Sequence, residues 1–106
     1  MKKTTVLIEG RDLSTLTGTM EGRLKGYYEY FYNDTFIFVN EDRSSRANEA
    51  LMSVIIVFLM GNGQGEIDVI SGGGPEIAED CSHRQVIQML RDICASNRWT
   101  LVEDGA

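Results

Sequence analysis

The chain predicts an α+β domain, a four-stranded and mostly antiparallel sheet with three helices on one face. Two observations predict it. Short β-branched runs alternate with segments whose apolar residues recur at helical spacing, in the order strand, helix, strand, strand, helix, strand, helix. The helical segments each carry one apolar stripe, and layering them on one sheet face buries every stripe once. A length of 106 residues suits one domain with a core of its own.

Thr4–Glu9 is β-branched and apolar, closed by Gly10, and reads as the first strand. From Ser14 to about Phe31, apolar residues fall at Leu16, Met20, Leu24, Tyr27, Tyr28 and Phe31, the spacing of an amphipathic helix. Gly18, Gly22 and Gly26 weaken it by about 1 kcal/mol each relative to Ala. Tyr27–Asn33 also suits a strand that turns at Asn33-Asp34, because aromatic residues favour strands. The reading adopted is a helix, then a strand at Thr35–Val39.

Asn40–Arg43 reads as a turn and Ser44–Arg46 as the start of a short returning strand. Asn48 is placed to cap a second helix carrying Leu51, Met52, Ile55 and Phe58 or Leu59. Val54-Ile55-Ile56-Val57 is a poor helix former, which leaves a switch to strand open there. Gly61–Gly65 is a turn, and Glu66–Ser71 alternates Ile67 and Val69 with Glu66 and Asp68, as a strand does. After Gly72–Pro75, Ser82 and Gln85 form a capping box for a last helix with Val86, Met89, Leu90 and Ile93 on one face.

Charge narrows the function classes. Sixteen acids against 10 bases leave a formal net charge of -6. Such a surface repels phosphate backbones and anionic lipid, so neither nucleic acid nor membrane is an expected partner. Protein or small-molecule contacts remain. Met1-Lys2-Lys3 begins like a signal peptide, but Val6-Leu7-Ile8 stops at Glu9, short of an h-region. The longest apolar stretch, Val54 to Met60, is too short to span a bilayer. The expectation is a soluble, cytoplasmic protein. Cys81 and Cys94, on one helix, would sit roughly 20 Å apart at 1.5 Å rise per residue, too far for a disulfide. Buried, reduced thiols are expected, with no metal and no cofactor.

Order and wording over Thr35–Ile93 carry a family resemblance. Phe36-Ile37-Phe38-Val39-Asn40-Glu41-Asp42, then Ala47-Asn48, then Leu51-Met52 opening a helix, then Gly63-Gln64-Gly65 before a strand, resemble the histidine-containing phosphocarrier (HPr) family of bacterial sugar uptake. The resemblance implies an HPr-like open-faced sandwich over residues 1–97, with 98–106 as a C-terminal extension whose Trp99–Val102 adds a strand or a packing flap. It also implies a phosphotransferase-related context. In that family, function rests on a histidine after the first strand, presented at a helix N-terminus. Aligning Leu13 puts Ser14 at that place here. A serine hydroxyl forms a stable ester instead of a reactive phosphoramidate. Ala50 falls where many such carriers have a regulatory serine, with Ser53 one turn on.

The resemblance therefore implies a non-catalytic regulatory or protein-interaction module, not an enzyme, with the carrier's docking face kept. Leu13, Ser14, Thr15, Leu16, Leu51 and Phe58 are the candidate binding residues, with Met60 beside them in an exposed apolar patch. The other readings are a phosphocarrier whose acceptor has moved to Ser14, Thr15 or His83, and an orphan domain sharing only the fold. The bland readings are set beside these. Ser14 or Thr15 caps the first helix, His83 is an exposed residue at the start of the last helix, and Tyr27–Tyr32 serves core and edge packing. The apolar run Val54–Met60 asks for a cover, either the tail around Trp99 or a second subunit.

Overall fold

A computed structural model describes residues 1–42 and 51–104. The elements run β1 (Lys2–Glu9), a 3₁₀ turn (Leu13–Thr15), α1 (Leu16–Arg23), β2 (Tyr28–Tyr32), β3 (Thr35–Asp42), β4 (Leu51–Gly61), β5 (Gln64–Gly72), α2 (Glu76–Asn97) and β6 (Thr100–Asp104). They form one six-stranded sheet in the order β2-β3-β4-β5-β1-β6, with every neighbouring pair antiparallel. β5 and β6 both oppose β1, so they run parallel to each other, and α2 is the crossover between them. The expected four strands with three helices are not what forms, and the HPr-like layering falls with them.

The correction has a local cause. Leu51–Gly61 is an eleven-residue strand and not a helix. Its buried residues alternate, Ser53, Ile55 and Val57 facing the core, while Val54, Ile56 and Phe58 face the other way. Four consecutive β-branched residues stiffen χ1 against a helical turn and suit the pleat. Because both faces are apolar, the alternation is hidden, and the same residues also match helical spacing. The first helix is short for a related reason: it ends at Arg23, and Gly26 with φ 94° turns the chain into β2. Tyr28–Tyr32 is thus a strand, the alternative reading of that stretch.

Two turns are set by their residues. Asn33 and Asp34 both have positive φ (47° and 63°), as do Asn62 and Gly63 (54° and 72°). Two adjacent left-handed residues make the tight hairpin turn whose twist matches the flanking strands, and Asn, Asp and Gly tolerate that conformation best.

The core lies on one side of the sheet. Val6, Ile8, Ile55, Val57, Ile67 and Val69 meet Leu16 and Met20 of α1 and Val86, Leu90 and Ile93 of α2. α2 packs on β5, β1, β4 and β6. It begins at Glu76 behind Pro75, so Ser82 stands in the second turn and not at a cap. The expected capping box is replaced by a hydrogen bond between the Ser82 and Ser53 hydroxyls at 3.1 Å. Thr15 does occupy the N-cap position of α1, yet its hydroxyl donates to the Asp12 carbonyl (2.9 Å) and caps nothing.

Trp99 and β6 complete the sheet beside β1. The indole N–H donates to the Arg11 carbonyl at 2.7 Å. A Cβ on Gly10 would stand 2.2 Å from Trp99 Cδ1, so only glycine allows the ring to lie against the backbone there. Two strands, β1 and β5, separate β6 from β4. The tail therefore does not cover Val54–Met60. The expected returning strand at Ser44–Arg46, the Asn48 cap and Ala50 lie outside the described residues. Among those residues, no helix is long and apolar enough to cross a membrane.

Candidate protein-interaction surface

The strand registers place two sets of side chains on the face of the sheet away from the helices. Tyr28, Tyr30 and Tyr32 of β2 stand level with Val39, Ile37 and Thr35 of β3, and these with Val54, Ile56 and Phe58 of β4. Next to them, β5 and β1 present Ile70, Asp68 and Glu66 beside Lys3, Thr5 and Leu7, and Val102 of β6 follows Leu7. The first set is almost wholly aliphatic and aromatic, and the second mixes Asp68, Glu66 and Lys3 with Ile70, Leu7 and Val102. Thr5 donates its hydroxyl to Asp68 at 2.6 Å, which holds that carboxylate in the plane of the face.

Exposure marks the aromatic half as unusual. Tyr28, Tyr30, Tyr32 and Phe31 are 67%, 58%, 72% and 62% exposed, and Met52, Phe58 and Met60 are exposed beside them. Large apolar patches on a monomer mark contact sites more often than chance exposure does. Phe31 points to the helix side, where its ring stacks tilted on Phe36 with centroids 4.6 Å apart. β2 lies beyond the helix-covered strands, so both of its sides meet solvent and all five residues are exposed.

The expected binding residues do not come together. Leu13 and Leu16 are in the core at 3% and 0% exposure, whereas Ser14 and Thr15 are exposed. Leu51 is half-buried at the start of β4, and Phe58 sits on the open sheet face. Of the six, Phe58 alone lies in the exposed apolar surface, joined there by Met60. The tyrosines of β2 were missed as site residues, and the signal that would have found them is the alternation of Tyr28, Tyr30 and Tyr32 on one side of a strand.

His83 is the second place with chemical potential. It lies in mid-helix, buried, and not at the exposed helix start expected of it. Its Nδ1 meets the Ser71 hydroxyl at 3.0 Å and its Nε2 the Thr4 hydroxyl at 2.7 Å. Burial, with Lys2 nearby, holds its pKa below the usual imidazole value. A neutral ring joining β1, β5 and α2 is the result. Ser71 is wholly buried, so the serine–histidine pair offers no nucleophile to a substrate. A phosphoryl group could reach either nitrogen only by displacing the hydroxyl bonded to it.

Between α1, β3, β4 and α2 lies a cleft of about 470 Å³ lined by Arg23, Tyr27, Asn40, Ser53, Ser82 and Gln85 among others. Ser53 joins two of its polar groups, the Ser82 hydroxyl at 3.1 Å and the Tyr27 phenol, whose pKa burial pushes up. Among the described residues, no cluster of His, Cys, Asp or Glu has the grouping of a metal site. Both thiols are free. Cys94 is buried, its pKa pushed up to about 11, but Cys81 is exposed, contrary to the expectation for it. No family model and no curated protein matches this chain.

Proposed function

We propose that the chain is a non-catalytic protein-interaction module that docks a partner on the open face and aromatic edge of its sheet. The observation that supports this most is that Tyr28, Tyr30 and Tyr32 of β2 and Phe58 of β4 are exposed together on one face of the sheet, with β3 between them. Tyrosine brings a large apolar area with few rotatable bonds and a polar tip, the combination favoured at the centres of interfaces. The buried polar network around His83 supports the non-catalytic part, because each of its hydroxyl and ring partners is engaged within the fold.

The test compares three forms of the tagged full chain as bait in an extract of the producing cells. Phe58→Lys alters the face, where Glu66 is the register neighbour and accommodates the new charge. Ile77→Lys is the control, an 84% exposed apolar residue on the first turn of α2. The reading expects a partner retained by the wild type and Ile77→Lys and lost by Phe58→Lys, with similar melting temperatures. Equal retention by all three would contradict it.

A further inference from the structure

We propose that the partner of β2 is β2 of a second copy, the two strands pairing antiparallel about a twofold axis through Tyr30 so that the sheets join. This rests on the reading of the aromatic edge as a docking surface. Four features of the chain point to its own copy.

The strand is self-complementary. Centred on Tyr30, the register sets Tyr30 against Tyr30 of the other copy, Tyr28 against its Tyr32, and Glu29 against its Phe31. On the open face the tyrosines continue in one row across the axis, and directly opposed aromatic pairs are favourable cross-strand neighbours. The strand's one carboxylate meets an aromatic ring and not its own copy, so two chains of net charge -6 come together without opposed charges at the seam.

Apart from Glu29 and its short length, the edge lacks the usual guards against pairing. Tyr28–Tyr32 holds no proline, lysine or bulge, while its backbone on the side away from β3 has no strand neighbour among the described residues. The other edge is different: Thr100–Asp104 ends in two acids, and Glu103 is tied to Arg91 of α2. Area agrees with a weak dimer. Pairing along the edge covers the flanks of Tyr28, Tyr30, Phe31 and Tyr32 and leaves their outer sides wet, as Phe58 with a strand on each side stays 41% exposed. The area removed is then below the roughly 1,200 Å² of a standard interface, the range of weak and transient contacts.

The experiment is sedimentation velocity on the full chain over a range of concentrations, for the wild type, Tyr30→Phe, Tyr30→Lys, Tyr32→Lys and Ile77→Lys. A melting curve for each confirms that it is folded. A concentration-dependent dimer is expected for the wild type, Tyr30→Phe and Ile77→Lys. Tyr30→Lys sets two cations against each other on the axis and should weaken association about tenfold or more, and Tyr32→Lys likewise. A wild type that stays monomeric overturns the proposal. So does a dimer that survives both β2 lysine variants, as an interface elsewhere would, and so does one lost in Ile77→Lys alone, which places the contact on α2. If the chain is monomeric while Phe58→Lys still loses its extract partner, the dimer fails and the interaction reading stands.

Discussion

The two edges of this sheet are built to opposite ends. At β6 the chain has anchored the strand: Trp99 lies on Gly10, its indole bonded to the Arg11 carbonyl, and Arg91 on α2 reaches Glu103. At β2 no described strand lies beyond the edge, and its five residues, four of them aromatic, are exposed. Both are five-residue strands at the margin of one sheet, so the contrast lies in what each is given to hold. An edge meant only to be solvated carries charge, bulges or cover. β6 ends in Glu103 and Asp104, and β2 holds Glu29 alone. The difference is the reason we place the proposed docking margin at β2 and read β6 as a structural one.

The largest way to break the contrast is at Gly10. Gly10→Val drives a side chain into Trp99 and should cost about 3 kcal/mol, as overpacking does. It should be read as a drop in the denaturant midpoint and a loosened β6. If Gly10→Val is as stable as the wild type, β6 is not anchored as described.

His83 comes next. His83→Leu removes one buried and one part-buried side-chain hydrogen bond that hold β5 and β1 to α2, and leaves Ser71 and Thr4 without that partner, a loss of about 2 kcal/mol. Acid should act on the same place. The folded pKa of His83 lies below its unfolded value, so the unfolded chain binds the proton more readily and stability is lost as pH falls below about 6.5. Melting curves across that window should slope for the wild type and be flatter for His83→Gln. An identical slope in both would mean that other groups carry it.

A smaller effect is expected at the open edge. Phe31→Ala loses the stack on Phe36 and should cost about 1 kcal/mol in chemical denaturation at dilutions where the chain is single. Arg91→Gln should cost the least, under about 0.5 kcal/mol, because the pair with Glu103 is half in solvent. A larger loss there would mean that β6 depends on the ion pair more than on Trp99.

The sequence makes some of this legible and hides the rest for identifiable reasons. Strands β1 and β5 are readable because each alternates or is β-branched and ends in glycine. The stripe of α2 is readable at Val86, Leu90 and Ile93, since only one of its faces is apolar. β4 is not readable, because a strand apolar on both faces has no contrast between them, and Leu51, Ile55 and Phe58 mimic a helix. The aromatic run at Tyr27–Tyr32 fits either state until Gly26 is seen to take a positive φ. Contacts from Thr4 and Ser71 to His83 join residues far apart in the chain, so no local spacing announces them. The alignment around Leu13 misled because Leu13 and Leu16 are apolar for the core and not for docking.

The central claim concerns β2, and backbone hydrogen exchange tests it most directly. Those N–H groups of β2 that point away from β3 have no strand partner among the described residues of a single chain and are bonded in a paired one. The account predicts that these alternate, outward-pointing amides exchange quickly at low protein concentration and become protected as it rises, while those bonded to β3 and those of β6 do not change. Exchange in β2 that is independent of concentration, or protection that rises at β6 instead, would contradict it.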